Sequence, residues 1–224
     1  MHAITKYKDT VLQLLLALCL FLLFVSVSVF FTLAFKPLYY FDIDFLEIED
    51  YSGFEKQEIK DNYDALIDYN LPLSDGELVF PSEGMMSETA KIHFEEVKDI
   101  FDLFKIVGLV MIPLCIAGVW YFYSKQKIDY LLYTGCITLA LPLVLGTFIA
   151  LNWERVFYIF HKIAFSNDYW IFDPYEDQVI NILPSDFFMH CAALIVGIVF
   201  LGGGLSTAIY FIARKRRTKT LSNT

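Results

Sequence analysis

Four apolar stretches, residues 11–35, 100–123, 130–151 and 187–213, divide this chain of 224 residues. A helix needs about 20 mostly apolar residues to cross the roughly 30 Å of hydrocarbon in a bilayer, and each stretch is long enough. Hydrophobic residues make up 57% of the chain, above the ~45–50% of soluble domains. The sequence therefore predicts a mostly α membrane protein with four transmembrane helices, forming a single membrane domain over residues 1–224.

The basic residues next to these stretches indicate their orientation. Lys and Arg accumulate before the first stretch, between the second and the third, and after the fourth. Connections rich in Lys and Arg favour the cytoplasmic side of a membrane. We therefore expect both termini in the cytoplasm and residues 36–99 and 152–186 outside the cell. The basic residues are Lys6, Lys8, Lys125, Lys127, Arg214, Lys215, Arg216, Arg217 and Lys219.

The outer segments are acidic. Residues 36–99 contain 17 Asp and Glu against 5 Lys and Arg, and the whole chain carries a formal net charge of −9. Nucleic-acid-binding surfaces are basic, so that class of function is excluded. The four cysteines fall one in each apolar stretch, without the close spacing of metal ligands. We expect neither a metal nor a cofactor.

Residues 36–99 and 152–186 are expected to form a small α+β extracellular cap. The alternation of apolar and acidic residues in 41–45 is typical of a half-buried strand. A helix predicted from Ser87 continues through His93 into the second apolar stretch, which would hold that side chain on a rigid element. Further strands are predicted at 78–80, 169–172 and 179–182, the last two as a hairpin around Asp173-Pro174.

Two histidines on the outer side are candidate catalytic groups. His93 precedes the second apolar stretch and His161 follows the third, each less than three helical turns from the stretch. An imidazole has an ordinary pKa of about 6.5, which suits acid–base chemistry near neutral pH. The alternative is that each ring is only a hydrogen-bonding group at the membrane interface. His190, at the start of the fourth stretch, is expected to have a structural or lipid-contacting role.

Aromatic residues make up 17% of the chain and gather at the outer ends of the apolar stretches. Rings of this kind commonly form a belt at headgroup depth in membrane proteins. The alternative is an aromatic-walled pocket that holds an acyl chain or a lipid head. Both interpretations remain open at this point.

Two outer segments carry a more specific pattern. One is His93-Phe94-Glu95-Glu96-Val97-Lys98, which leads into the second apolar stretch. The other is FHKIAFSNDYW at 160–170, continuing through Asp173-Pro174 and Asp177 to PSDFF at 184–188. They resemble the H-F-x-D-V-K segment and the most characteristic block of the lipoprotein intramolecular transacylases of Gram-positive bacteria. Four spans with an extracellular cap also match that family, so the resemblance covers essentially the whole chain.

The resemblance implies a substrate and a reaction. The substrate is a diacylated lipoprotein whose N-terminal cysteine carries a diacylglyceryl thioether. One acyl chain moves from the sn-2 oxygen of the glyceryl group to the α-amine of the cysteine, which leaves a lyso-form lipoprotein. The amine has an ordinary pKa of about 8 and must lose a proton before it attacks, while the departing oxygen must gain one.

The resemblance also implies roles for particular residues. His93 and His161 are the catalytic histidines, with His93 expected as the base and His161 as the acid or oxyanion donor. The implied substrate-binding residues are Glu96, Asn167, Asp168 and Trp170. The two carboxylates would orient an imidazole or bind the substrate's ammonium group, and Asn167 and Trp170 would donate to the developing oxyanion. Glu96 stands where the family has an aspartate, so its carboxylate reaches further. For Asn167 and Asp168 the alternative is a simple helix-ending turn.

A second class of function is a non-enzymatic membrane adaptor or accessory protein that binds a partner through its cap. Such an adaptor would tolerate the loss of both histidines, whereas a transacylase would not. The first three spans lack the internal charge pairs that mark an ion path, which counts against transport. The partners expected for the enzyme are the diacylated lipoprotein and membrane lipid, not nucleic acid, and we expect a monomer.

Overall fold

The computed structural model describes residues 2–71 and 76–222. This part of the chain is mostly helical, and each helix is numbered in chain order. The helices are α1 (His2–Ala34), α2 (Lys36–Phe45), α3 (Ile48–Ser52), α4 (Lys56–Asn70), α5 (Glu88–Ser124), α6 (Asp129–Leu151), α7 (Trp153–Ala164), α8 (Val179–Ile182) and α9 (Ser185–Ser222).

Helices α1, α5, α6 and α9 are long and apolar enough to cross a membrane, and they correspond to the four predicted stretches, except that residue 35 lies beyond the end of α1. The prediction of a mostly α protein with four membrane helices is therefore confirmed. Helix α5 begins at Glu88 and runs unbroken to Ser124, as the absence of Gly and Pro between Ser87 and the second stretch indicated. His93 consequently lies near the beginning of a 37-residue helix.

The chain divides into two compact units. The membrane unit comprises the residues up to Ser28, Ile106–Gly146 and the residues from Ile195 onwards. The cap unit comprises Val29–Lys105 and Thr147–Leu194. The single domain expected over residues 1–224 stays a prediction.

Within the membrane unit, α6 and α9 approach each other through small residues. A Cβ atom on Gly203 would lie 2.3 Å from Oγ1 of Thr138, and one on Gly135 would lie 2.0 Å from Oγ1 of Thr207. The hydroxyl of Thr138 donates to the carbonyl of Thr134 at 2.6 Å, so it is satisfied within its own helix. Close backbone approach at small residues is a common way in which membrane helices pack.

The cap unit has its own hydrophobic core around Tyr39 of α2, which is fully buried. Its ring stacks on that of Tyr63 in α4 with centroids 3.6 Å apart and meets Phe187 of α9 edge-on. Its hydroxyl donates to the carbonyl of Ile182 in α8 at 2.6 Å. A buried tyrosine with its hydroxyl satisfied joins four helices in this way.

The prediction of an α+β cap is wrong, because no strand occurs among the described residues 2–71 and 76–222. Residues 41–45 belong to α2, and residues 179–182 form the single turn α8. Residues 78–80 and 169–172 are irregular or turns. The cap unit is therefore made of helices and loops.

The reason for this error lies in α2. The alternation of 41–45 assigned Phe41, Ile43 and Phe45 to one buried face, whereas Phe41 and Phe45 are each 61% exposed. The buried face is Tyr39, Asp42 and Ile43, which has the spacing of a helix. Both carboxylate oxygens of Asp42 accept from Nδ1 of His190 at 2.9 Å, so this acidic side chain lies in the core of the cap unit and not at its surface.

Candidate active site

The beginning of α5, which carries His93, is tied to the segment before α8. Oδ1 of Asp177, a residue only 4% exposed, accepts from the backbone N–H of Ser87 at 2.7 Å. The carbonyl of Met85 accepts from the N–H of Val179 at 3.0 Å. Side-chain acceptors at a helix N-terminus satisfy donors that the helix leaves free. These bonds fix the end of the helix from which the His93 side chain projects.

His161 lies in the last turn of the short amphipathic helix α7. The side chain of Asn152 caps its beginning by accepting from the N–H of Arg155 at 3.0 Å. Nδ1 of His161 lies 2.8 Å from the carbonyl of Phe157. A carbonyl only accepts hydrogen bonds, so Nδ1 carries the proton. In the neutral ring, Nε2 therefore has a free lone pair.

The two imidazoles, although 68 positions apart in the sequence, lie together, with ring centroids 6.1 Å apart. They are 6% and 8% exposed. Phe165 contacts both rings, with its centroid 4.6 Å from His93 and 5.6 Å from His161. Phe172 covers His93 at 5.4 Å and Trp170 covers His161 at 4.8 Å. Two titratable groups thus share an aromatic surrounding.

His93 has a polar atom that the described residues leave unsatisfied. Its Nδ1 is buried and has no hydrogen-bond partner in the described part of the chain. An unsatisfied buried polar group costs about 1–3 kcal/mol. Such groups are rare in folded proteins and are often explained by catalysis or by a bound molecule. The ring of His93 is therefore suited to a contact with substrate.

A hydrogen-bonded group of residues begins at Glu96, one helical turn after His93, and includes Asn167 and Trp170 from the loop after α7. Oε1 of Glu96 accepts from Nδ2 of Asn167 at 2.7 Å. The carbonyl of Asn167 in turn accepts from Nε1 of Trp170 at 3.1 Å. Oε2 of Glu96 is buried and lacks a partner among the residues that the structure describes. One carboxylate oxygen thus holds the loop after α7, and the other remains available.

Asp168 is placed differently from the other predicted substrate-binding residues. Its carboxylate lies on the surface and accepts from Nζ of Lys162 at 2.5 Å. The same ammonium lies 5.7 Å from the centre of the Trp170 ring. A substrate-binding role for Asp168 stays a prediction, and the observed contacts hold the turn after α7 together.

Burial of the ring lowers the pKa of His161 below its ordinary value of 6.5, although the hydrogen bond to Phe157 acts in the opposite direction. The protonated form loses hydration among aromatic side chains, which disfavours the charge. His161 is consequently neutral at physiological pH, with Nε2 able to accept a proton.

The lowered pKa of His161 predicts a pH dependence of stability. Below pH 6.5 the unfolded chain binds a proton at this histidine while the folded chain resists it, so stability falls as the pH falls. The loss is at most about 1.4 kcal/mol for each pH unit. Thermal unfolding of the wild type and of His161→Gln between about pH 5 and 8 is expected to show the wild type losing stability relative to the variant only on the acidic side. A constant difference across this range would contradict the prediction.

Several residues of the site were not identified from the sequence. Phe165 and Asp177 lie in the segments that resemble the family but were given no role, and Phe172 was assigned to a predicted strand. Ser87 and Asp177 are 90 positions apart, so no local pattern connects them. The one usable signal was the density of aromatic residues between 157 and 172, which is consistent with the pocket interpretation.

Within the described residues, no three His, Cys, Asp or Glu side chains come together as a metal-ligand set. The expectation of a reaction without metal or cofactor stays a prediction.

Comparison with known proteins identifies the family. The family model described as lipoprotein intramolecular transacylase Lit matches residues 14–188 of this chain. The chain belongs to the lipoprotein intramolecular transacylase family. The predicted resemblance is thus confirmed, as is the prediction of an acyltransferase of this family.

Solved structures of Lit agree with this assignment. The in meso structure of the membrane integral lipoprotein intramolecular transacylase Lit from Bacillus cereus is 36% identical in sequence, with a TM-score of 0.92. The match covers 96% of this chain and 99% of that chain. Another structure of the Bacillus cereus protein, with a histidine replaced by alanine, is 35% identical with a TM-score of 0.87, covering 97% of this chain and 98% of that one.

A more distant relative is an uncharacterized protein of Aquifex aeolicus, 32% identical over 111 residues. This match spans half of this chain and half of that protein. The Lit structures match almost the full chain, and the four apolar helices agree with an integral membrane protein. A multi-pass membrane protein of the Lit family is therefore confirmed, and the adaptor alternative loses its support.

Proposed function

We propose that this Lit family member transfers the sn-2 acyl chain of a diacylated lipoprotein to the α-amine of its N-terminal cysteine. The neutral amine attacks the ester carbonyl carbon, a C–N bond forms, and the bond from that carbon to the glyceryl oxygen breaks. One proton leaves the nitrogen and one reaches the glyceryl oxygen, so the step is balanced. The products are an amide and a free hydroxyl group on the same lipoprotein.

The observation that carries this proposal is the buried pair of imidazoles with centroids 6.1 Å apart. The reaction needs one group that accepts a proton and one that donates a proton, and two neighbouring histidines meet this need. The surrounding Phe165, Phe172 and Trp170 form apolar walls that suit acyl chains. Holding both reacting ends in such a site is worth about 7–11 kcal/mol in well-oriented intramolecular reactions.

The hydrogen bond of His161 supports a division of roles opposite to the one expected from the sequence. With its proton on Nδ1 and donated to Phe157, neutral His161 has a lone pair and no N–H on Nε2. Such an atom accepts the proton of the amine. The imidazolium of His161 then passes its Nε2 proton to the neighbouring ring of His93. His93 gives up a proton from its other nitrogen to the departing glyceryl oxygen, so both rings end neutral.

Glu96 is proposed to bind the α-ammonium group before it loses its proton. Its Oε2 is buried and has no partner among the described residues, and a buried carboxylate is most stable beside a positive charge. Asn167 positions this carboxylate through Oε1, and Trp170 positions Asn167. One of the two N–H donors of Asn167 Nδ2 and the N–H of Trp170 Nε1 are engaged in these bonds, which supports a positioning role for both residues.

The orientation proposed for the protein follows the charge pattern, with both termini in the cytoplasm and the cap unit outside the cell. His93 and His161 would then lie on the face of the membrane where lipoproteins are displayed. The acidic connections on this side and the basic ones on the other support this orientation.

The experiment that tests the function uses the full chain co-expressed with one lipoprotein in cells that lack other N-acylating activity. Mass spectrometry of the N-terminal lipopeptide is expected to show an amide-linked acyl chain and a glyceryl group with one ester. A distinct fatty acid at the sn-2 position of the substrate would identify the chain that moves. Unchanged diacylglyceryl peptide, or an acyl chain that comes from another lipid, would refute the proposal.

Replacing Glu96 by Gln is expected to raise KM for the lipoprotein about tenfold, with a smaller change in kcat. A glutamine oxygen still accepts from Asn167, so the loop remains held, but the charge that attracts the ammonium is lost. A tenfold change corresponds to about 1.4 kcal/mol, the scale of one charge-assisted hydrogen bond. Initial rates at a series of substrate concentrations in detergent micelles measure both constants.

The matched control is Glu95→Gln, which removes the same charge from the exposed neighbouring residue. Its KM is expected to equal that of the wild type. Equal KM values for wild type and Glu96→Gln would exclude the ammonium contact.

A further inference from the structure

A basic cleft lies in the membrane unit, away from both catalytic histidines in the sequence. It has a volume of about 380 Å³ and is formed by the connection between α5 and α6 together with α9. Pockets for small ligands have volumes of about 300–1,000 Å³, so this cleft falls in that range. Its charged lining residues are Lys127, Asp129, Arg214 and Arg217.

The charges of the cleft are not balanced. The ammonium of Lys127 forms an ion pair with Asp9, which is 6% exposed. Arg214 and Arg217 form no ion pair with a carboxylate in the described part of the chain, where their contacts are the Tyr210 hydroxyl and a backbone carbonyl, respectively. Each guanidinium has five N–H donors. Most of these donors therefore remain available to an anion.

The position of the cleft on α9 indicates the kind of anion. Arg214 follows directly after the apolar stretch of this helix, where Phe211 and Ile212 are each 55% exposed. In a membrane helix, such side chains contact acyl chains, and the first basic residues beyond them lie at the depth of the lipid phosphates. A free phosphate ion would use the guanidinium groups but not the apolar side chains beside them.

We infer that the cleft binds the phosphate headgroup of an anionic phospholipid, held by Arg214 and Arg217, with the acyl chains along α9. Arginine recognises phosphate through two parallel hydrogen bonds. Basic pockets among membrane helices bind anionic headgroups in this way. Asp129 in the lining limits the excess of positive charge and favours a headgroup with a single phosphate charge.

The test is native mass spectrometry of the full-length protein in detergent with added phosphatidylglycerol. The wild type is expected to retain one bound phosphatidylglycerol, and Arg214→Gln/Arg217→Gln is expected to reduce the bound fraction at least severalfold. The matched control is Lys215→Gln/Arg216→Gln, which removes the same charge from the same helix at residues outside the cleft lining. This control is expected to bind like the wild type. Equal thermal unfolding temperatures verify that both double variants are folded.

Three results would overturn the inference. An equal loss of binding in both double variants would show diffuse attraction by the basic end of α9. Equal retention of phosphatidylcholine by the wild type would show that the lipid charge is irrelevant. Displacement of the lipid by inorganic phosphate at equal concentration would show a site for free phosphate.

Discussion

Replacing either His93 or His161 by alanine is expected to lower the rate of lipoprotein N-acylation by about 10²–10⁴-fold, the usual contribution of one general acid or base. The two rings lie 6.1 Å apart in a common aromatic surrounding, so each variant removes one of the two proposed proton-transfer groups. Because the two act as a unit, the double variant is expected to be only slightly slower than either single variant. Mass spectrometry of the N-terminal lipopeptide over time measures these rates.

The control for this experiment is Tyr175→Ala, in the loop that follows the site, where the side chain is 92% exposed. Its rate is expected to match that of the wild type, and all variants should reach similar levels in the membrane. Lyso-form product at the wild-type rate in either histidine variant would contradict the assignment of that histidine.

Replacing His190 by leucine is expected to cost about 1–3 kcal/mol of stability, the cost of leaving a buried polar group without its hydrogen-bond partner. Asp42 is fully buried, and Nδ1 of His190 donates to both of its oxygens at 2.9 Å. The variant leaves a carboxylate in the core of the cap unit without this partner. Thermal unfolding in detergent, followed by tryptophan fluorescence, is expected to show a transition several degrees lower than that of the wild type.

The informative comparison is the double variant Asp42→Leu/His190→Leu. It removes the carboxyl group together with the imidazole, so neither group is left in the core without its hydrogen-bond partner. Replacing both members of a buried pair by apolar residues is often close to neutral. The double variant is therefore expected to unfold at a higher temperature than His190→Leu. An equal or lower unfolding temperature would mean that His190 stabilises the cap unit by packing alone.

The sequence could predict which residue types form the candidate site, but not which distant residues form hydrogen bonds with one another. His93 and His161 were singled out by their chemistry and by the family resemblance, and the structure brings them together. Asp42 and His190 were not paired beforehand, because 148 positions separate them. Asp42 and Asp44 were both taken to face solvent, and this assumption produced the predicted strand.

The sequence alone determined the number of long apolar helices and their approximate positions, although α1, α5 and α9 extend beyond the predicted stretches. This is possible because hydropathy is a local property and a bilayer of fixed thickness requires about 20 apolar residues for each crossing. Tertiary structure alone decided that residues 41–45 form a helix and not a strand, that Asp177 fixes the beginning of α5, and that Glu96 is tied to Asn167. In each of these cases a buried polar group needs a partner, and that partner lies in a distant part of the chain that only folding brings near.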